Sequence, residues 1–180
     1  QLDFYSGEEA PAQEFDYACA LPNLPMVFDA ANDTLSGVSY LNAPAADVLQ
    51  KASWLKETTA TGTFRIGLVW AGNPQHHNDS NRSLPLSSLA PLFSLPGISW
   101  ISLQAQLPEE SAVSWPETLV DASDQLQDFA ATAALLANLD LVITVDSAVA
   151  HLAGALGKKV WTLIPFAPDW RWQLKRTDSP

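Results

Sequence analysis

The chain has little positive charge and almost no cysteine. Its 180 residues include 9 Lys and Arg against 20 Asp and Glu, for a net charge of −11. Proteins that bind nucleic acid or anionic membrane surfaces need a basic surface, so we expect neither partner. The single cysteine, Cys19, excludes a disulfide framework and a thiolate metal cluster and is typical of a reducing compartment. An anionic small molecule stays open as a ligand, because a helix N-terminus and one or two arginines act locally.

Long apolar runs are absent as well. No segment approaches the roughly 18 consecutive apolar residues of a membrane helix, so no membrane span is predicted. The first residues lack the basic start of a signal peptide and an initiator Met, which predicts a piece of a longer protein. A hydrophobic fraction of 47% is ordinary for a globular chain, and this length is sufficient for one domain with a core.

The most informative segment begins at an unbroken apolar run, Leu141–Val145, which predicts a strand buried on both faces. Asp146 and Ser147 follow, and both residue types favour the N-cap of a helix. Small residues at 148–156 predict that helix, and Gly157 can end it in the left-handed conformation. A strand that leads into a capped helix brings backbone N–H groups to the carboxyl edge of a sheet. This edge is where α/β proteins bind phosphorylated ligands.

The same patterns predict the other elements. Strands are predicted at residues 15–21, 64–70, 98–103, 119–120 and 159–165. Helices are predicted at residues 45–57, 86–93 and 125–138, the last with Asp124 as its cap. Core-facing stripes are expected at Val48, Leu49, Ala52 and Leu55, and at Leu126, Phe129, Ala133, Leu136 and Ala137. The alternation predicts an α/β fold, a Rossmann-like parallel sheet with flanking helices.

Ser147 and His151 are four residues apart, so they share one face near the start of the predicted helix. Both side chains can form hydrogen bonds with a phosphate or ribose oxygen. The alternative is an ordinary cap and a core histidine. The pair does not have the pattern of a hydrolase dyad, which needs a base aimed at the hydroxyl and a third, orienting group.

The turn after the first strand of the sheet, Trp70–Pro74, is the second candidate. Gly72 allows a close backbone approach, and Asn73 tolerates the left-handed conformation. Because the carboxyl ends of parallel strands share one edge, this turn should lie beside Ser147. The alternative is a turn that binds nothing.

The polar loop at residues 76–83 offers two further interpretations. Arg82 is one of few cations, and a guanidinium binds phosphate through two parallel hydrogen bonds. A solvated loop arginine is the alternative. A metal site at His76, His77 and Asp79 is disfavoured, because their spacing matches no zinc signature.

The last candidate is the cluster Trp170, Arg171 and Trp172. Two indoles beside an arginine can stack on a base or sugar and pair with an anion. The alternative is aromatic packing over the sheet edge.

Residues 146–158 resemble the signature of glycosyltransferase family 9, the heptosyltransferase-like enzymes. Further motifs are similar to one group in this family, the bacterial proteins in which tetratricopeptide repeats precede the glycosyltransferase region. These motifs lie at residues 66–74, 78–79, 82–83, 102–104, 128–133 and 168–172. The resemblance runs in order from about Phe64 to Pro180 and is weaker over residues 15–44.

The resemblance implies a GT-B architecture, in which this chain supplies the C-terminal domain. Residues 1–44 would be the tail of the N-terminal, acceptor-side domain, residues 45–62 a connecting helix and linker, and residues 63–180 the nucleotide-sugar-binding domain. Ser147 and the N–H groups that follow it would hold the donor diphosphate. The implied substrate-binding set is Trp70, Gly72, Asn73, Arg82, Asp146, Ser147, Ala148, His151, Trp170 and Arg171.

The implied activity is an inverting, metal-independent transfer of a hexosyl or heptosyl group from a nucleotide-diphosphate sugar, with no cofactor. The absence of an Asp-x-Asp metal motif agrees with this. The general base would come from the N-terminal domain, so no catalytic residue is assigned and the 180 residues alone are expected to be inactive. The acceptor, a glycan, lipid or protein, stays open, and the expected location is the cytoplasm. The alternatives are a GT-B nucleotide-sugar epimerase and a non-catalytic binding or interaction module of a repeat protein.

Overall fold

The computed structural model describes residues 17–20, 23–28, 37–106 and 115–169, together with Trp172 and Asp178. The chain divides into two compact units, residues 1–37 with Pro180 and residues 38–179. In the first unit the described residues contain one helical turn, α1, at Leu24–Val27.

The strand predicted over residues 15–21 is wrong in its described part, because residues 17–20 have no regular secondary structure. Residues 15, 16 and 21 lie outside the described residues. A strand needs a neighbour to pair its backbone N–H and C=O groups, and the sheet of the described residues includes none from this segment.

The second unit is built on a parallel sheet, which has five strands in the described residues. The strands are β1 (Phe64–Val69), β2 (Ile98–Ser102), β3 (Leu119–Asp121), β4 (Leu141–Val145) and β5 (Val160–Leu163). Their order across the sheet is β3-β2-β1-β4-β5, and every neighbouring pair is parallel. This confirms the predicted α/β, Rossmann-like fold.

The helices of this unit are α2 (Ala45–Thr58), α3 (Asp79–Arg82), α4 (Phe129–Ala137) and α5 (Ala148–Ala155). The predictions for α2 and α5 are confirmed to within one residue, and Gly157 ends α5 with a φ of +71°. The helix predicted at 86–93 is a 3-10 helix, Leu86–Ser94, that contains Pro91. A proline has no N–H to donate to the preceding turn, which disfavours an α-helix there.

The predicted start of α4 is wrong by four residues. Ser123–Gln125 form a short 3-10 turn, and α4 begins after Asp128 instead of Asp124. The Asp128 carboxylate accepts a hydrogen bond from the Ala131 N–H at 2.7 Å, which caps the helix. Phe129, predicted to face the core, is the first residue of this helix and is 64% exposed.

The stripe predicted on α2 is also partly wrong. Leu55 is fully buried, but Leu49 is 70% exposed. Lys51 occupies the buried face instead, and its ammonium donates to the backbone and side-chain oxygens of Gln125 at 3.0 and 3.1 Å. A buried lysine is tolerated where its N–H groups have such partners.

Two apolar layers cover the sheet. On one face, α2, α4 and α5 pack around a cluster that includes Leu55, Leu135, Val142 and Ala153. On the other face, the 3-10 helix Leu86–Ser94 packs over a cluster that includes Trp70 and Trp100. Helical segments on both faces of a parallel sheet define a doubly wound fold. Among the described residues, none of the helices has the length and apolarity that crossing a bilayer requires.

Candidate functional site

The strand order reverses between β1 and β4, the two central strands. On one side of β1 the chain adds β2 and then β3. It then returns to the other side of β1, where it adds β4 and then β5. Val69 at the end of β1 lies opposite Thr144 near the end of β4. In an open α/β sheet, this switch point leaves a crevice at the carboxyl ends of the strands, where ligands bind.

The turn that follows β1 is fixed by hydrogen bonds from two later segments. The Gly72 N–H donates to the Ser83 hydroxyl at 2.9 Å, and the Leu84 N–H donates to the Trp70 carbonyl at 2.8 Å. Gln104 lies two residues after the end of β2. Its side-chain amide donates to the Ala71 carbonyl at 2.9 Å and accepts from the Ala71 N–H at 3.3 Å. The turn is therefore held in one conformation beside the crevice.

Arg82 connects this turn with the one that follows β4. Its Nε donates to the Asp79 carboxylate at 3.0 Å, and its Nη1 donates to the Asp146 carbonyl at 3.2 Å. The Arg82 and Asp79 side chains are only 15% and 17% exposed. The guanidinium also lies against Gly72, since an ideal Cβ at that glycine would be 2.6 Å from the Arg82 Cζ. Arg82 is thus a fixed residue at the switch point rather than a solvated loop arginine.

Ser147 is the N-cap residue of α5 by its backbone, but its side chain does not cap the helix. The Ser147 hydroxyl lies 2.9 Å from the Thr144 hydroxyl, which itself donates to the Val145 carbonyl. Because a hydroxyl has one hydrogen, Ser147 is the donor in the bond between the two side chains. The first turn of α5 begins at Ala148, which is exposed at the crevice edge with the positive end of the helix dipole.

His151 lies one turn further along α5. Its Nε2 is 4.0 Å from the Asp146 carboxylate, and 48% of its side chain is exposed. The Trp172 indole stacks on the imidazole at a centroid distance of 5.1 Å and an interplanar angle of 19°. Asp146, His151 and Trp172 therefore form one polar and aromatic surface beside the start of α5.

The other predicted site residues take different places. Trp70 is fully buried and packs edge-on against Trp115, so a ligand could meet only its backbone. Asn73 is exposed, and its side chain accepts a hydrogen bond from the Gln75 N–H at 2.9 Å. Trp170 and Arg171 lie outside the described residues.

The histidines of the polar loop form a stack and not a ligand set. The His76 and His77 rings have a centroid distance of 4.6 Å and an interplanar angle of 26°. In the part of the chain that the structure describes, no three His, Cys, Asp or Glu side chains converge as metal ligands would.

Sequence reasoning assigned no role to Ser83 or Gln104 and considered Asp79 only as a disfavoured metal ligand, although each contacts a predicted site residue. Trp172 was predicted to stack on a base or sugar, and in the structure it stacks on His151. A local signal existed for Asp79, which lies three residues before Arg82 as an (i, i+3) partner on a helical turn. Gln104 follows the neighbouring strand β2, and strand ends of a parallel sheet converge. Such proximity becomes visible only once the strand order is known.

Comparison with known proteins finds similarity in sequence and in fold. The family model of glycosyltransferase family 9 (heptosyltransferase) matches residues 126–169, a segment that contains α4, β4, α5 and β5. Protein FlbA of Caulobacter vibrioides is 28% identical over 160 residues, which cover 83% of this chain and 26% of FlbA. This chain therefore spans about a quarter of the length of that relative.

A solved structure, the glycosyl transferase family 9 from Veillonella parvula DSM 2008, shares the fold. It superposes with a TM-score of 0.57 at 17% identity, over 75% of this chain and 39% of that chain. The family match covers about a quarter of this chain, and the solved structure shows that the fold is shared.

Proposed function

We propose that this chain is the domain of a glycosyltransferase that binds a nucleotide-diphosphate sugar donor. One observation carries the proposal: the Arg82 guanidinium lies 3.2 Å from the Asp146 carbonyl, between the Gly72 turn and the start of α5. A guanidinium, backbone N–H groups and a helix dipole then meet at the switch point of the sheet. These are the groups that bind diphosphates in proteins.

The proposed reaction is an inverting transfer without a metal ion. A hydroxyl of the acceptor attacks the anomeric carbon while a general base takes its proton, and the nucleoside diphosphate leaves with the bonding electrons. Negative charge grows on the leaving diphosphate, where Arg82 and the N-terminus of α5 would stabilise it. We assign no general base to this chain, and expect it to come from the rest of the protein.

The wider setting of the domain belongs to the same proposal. FlbA is about four times as long as the matched segment, which fits a protein with further domains, and we propose tetratricopeptide repeats among them. We also propose a bacterial source, since both proteins described above come from bacteria, and a cytoplasmic location. The acceptor and the choice between hexosyl and heptosyl transfer stay open. No contact among the described residues favours an epimerase or a non-catalytic module.

Calorimetric titration of the full-length protein with ADP, UDP and GDP, in the presence of a chelator, tests donor binding. We expect saturable binding of one of them, weakened several-fold by Ser147→Ala, because the hydroxyl that now donates to Thr144 can turn towards a phosphate oxygen. Binding of none of the three would contradict the proposal.

The anomeric configuration of the product tests the reaction class. When full-length protein transfers the sugar to a hydroxyl acceptor, proton NMR of the first product reports inversion or retention directly. We expect inversion with chelator present. Retention, or activity that requires a divalent cation, would contradict the proposed mechanism and leave donor binding untouched.

A further inference from the structure

We propose that Asp79 is a positioning residue: with Gly72, it holds the Arg82 guanidinium at the switch point, in the place where Arg82 binds the donor diphosphate. This inference rests on the proposed function. It assigns roles to two residues that do not themselves contact the donor. Asp79 fixes the arginine by charge, and Gly72 leaves the space that the guanidinium fills.

The contacts of Arg82 determine which of its N–H donors remain for a ligand. A guanidinium has five N–H donors. Asp79 accepts from Nε, at the base of the group, and the Asp146 carbonyl accepts from Nη1. The described residues thus use two of the five donors. The three others are the two Nη2 hydrogens and the second Nη1 hydrogen, and Nη2 is the guanidinium atom that lies closest to Gly72.

The geometry of the Asp79 contact determines which nitrogens of Arg82 the carboxylate occupies. A carboxylate that grips the terminal nitrogens of an arginine in a bidentate manner occupies the edge that a phosphate needs. Asp79 instead makes its 3.0 Å contact to Nε. It orients the group, while Nη2 and one Nη1 hydrogen make no hydrogen bond to the described residues.

Gly72 is the second half of the arrangement. An ideal Cβ at this residue would lie 2.6 Å from Cζ and 2.7 Å from Nε of Arg82. Any side chain at residue 72 would therefore push the guanidinium out of its place. The glycine here provides space, since Gly72 is not among the residues with positive φ.

Fixing the arginine in advance favours binding. A mobile arginine loses rotamer freedom when it binds an anion, which weakens the complex. Arg82 has already lost that freedom in the free protein, because Asp79, Asp146 and Gly72 restrict it and only 15% of its side chain is exposed. Asp79 should therefore affect how tightly the diphosphate part of the donor binds and leave the binding of the nucleoside part unchanged.

A purely structural role is the competing explanation. Arg82, the last residue of α3, bonds to the turn after β4, 64 residues later in the chain, so it could simply hold these two segments together. The two explanations differ in what Asp79→Asn changes. A positioning residue lowers the affinity for diphosphates and not for the nucleoside, whereas a structural residue changes the affinity for every ligand alike or for none.

The experiment measures dissociation constants in full-length protein for the best-bound of ADP, UDP and GDP and for the matching nucleoside, without metal. The variants are Asp79→Asn, Arg82→Lys and the double variant. Arg65→Lys is the control, since Arg65 is a partly buried arginine at the opposite end of β1. Loss of a charge-assisted hydrogen bond predicts a Kd for the diphosphate about tenfold higher in Asp79→Asn.

Three further results are expected. The nucleoside affinity of Asp79→Asn is unchanged, the double variant binds no worse than Arg82→Lys alone, and Arg65→Lys binds as wild type does. Equal diphosphate affinity in Asp79→Asn and wild type would overturn the inference and leave the proposed function standing. Additive losses in the double variant, or parallel loss of nucleoside affinity, would also overturn it. Wild-type protein that binds no nucleotide would overturn both.

Gly72→Ala provides a second test that keeps all charges, in case Asp79→Asn does not fold. It should weaken diphosphate binding about as much as Asp79→Asn, again with the nucleoside unaffected. Gly154→Ala is its control, because a Cβ there meets nothing within 4 Å. Wild-type diphosphate affinity in a folded Gly72→Ala variant would overturn the role assigned to the glycine and, with it, the arrangement proposed for Arg82.

Discussion

Replacing Gly72 with alanine should displace the Arg82 guanidinium without changing any charge in the protein. The added Cβ would lie 2.6 Å from the Arg82 Cζ. Non-bonded carbon atoms prefer separations of about 3.5–4.0 Å, so the guanidinium must move by roughly 1 Å. The contacts of Arg82 to Asp79 and to the Asp146 carbonyl, at 3.0 and 3.2 Å, then exceed hydrogen-bond distance.

The expected loss of stability follows from these contacts. A hydrogen bond to a charged group contributes about 1.5–3 kcal/mol when buried, and an exposed ion pair about 0.2–1 kcal/mol. The Arg82 and Asp79 side chains are 15% and 17% exposed, which places them between these cases. Two weakened contacts predict a loss of about 2 kcal/mol in the free energy of unfolding, and a fall of about 4–8 °C in Tm.

Thermal unfolding followed by circular dichroism measures this change. Gly154→Ala is the matched control, since the residue lies within α5 with open space around its Cβ. That substitution should raise stability slightly, by up to about 1 kcal/mol, because alanine favours a helix over glycine. If Gly72→Ala unfolds at the wild-type temperature, the guanidinium does not lie against this glycine and the reasoning fails.

Three other predictions concern the fold. Asp128→Ala should lower the free energy of unfolding by about 1 kcal/mol in denaturant unfolding, because the α4 cap is lost. Asp124→Ala should not lower it, and equal effects of the two substitutions would contradict the cap assignment. Gly67→Ala should destabilise the protein by about 1–3 kcal/mol in the same assay, because its Cβ would overlap two leucine side chains of the core; wild-type stability would show that the core can yield there. Burial lowers the pKa of Lys158 from its ordinary value of 10.5, and Asp140 only partly opposes this, so the unfolded state binds more protons between the lowered pKa and 10.5. The free energy of unfolding of the wild type, relative to that of Lys158→Met, should therefore rise as the pH approaches 10.5. If the difference between the two proteins does not change with pH, the pKa of Lys158 is not lowered.

The unit from β4 to α5 could be predicted from the sequence because its signals are local. The apolar run Leu141–Val145 is buried along its whole length, and Gly157 has the positive φ that ends the helix. Each signal acts within a few residues, so neighbouring segments did not need to be known. The position of Arg82 near this unit was implied only by the family resemblance.

Other features depended on choices that local patterns leave open. Asp124 and Asp128 are equally good caps by residue type, and the chain uses the one whose extended backbone lets its carboxylate reach the Ala131 N–H. Ser147 was expected to cap α5, but Thr144 lies close enough to take its hydrogen bond. Competing partners of similar strength cannot be ranked without distances.

Contacts between segments that are distant in the chain could not be predicted from the sequence. Lys51 is buried because it meets Gln125, 74 residues later in the chain. The bond between Arg82 and the Asp146 carbonyl spans 64 residues. No periodicity relates such positions, and only the packing of the sheet brings them together.

The central claim is that the diphosphate of a sugar nucleotide binds where β1 and β4 end. A crystal structure of the full-length protein with the best-bound of ADP, UDP and GDP tests it most directly. The account predicts phosphate oxygens within hydrogen-bond distance of the Arg82 terminal nitrogens and of the first backbone N–H groups of α5, from Ala148 onward. A nucleotide bound elsewhere, with Arg82 untouched, would contradict it.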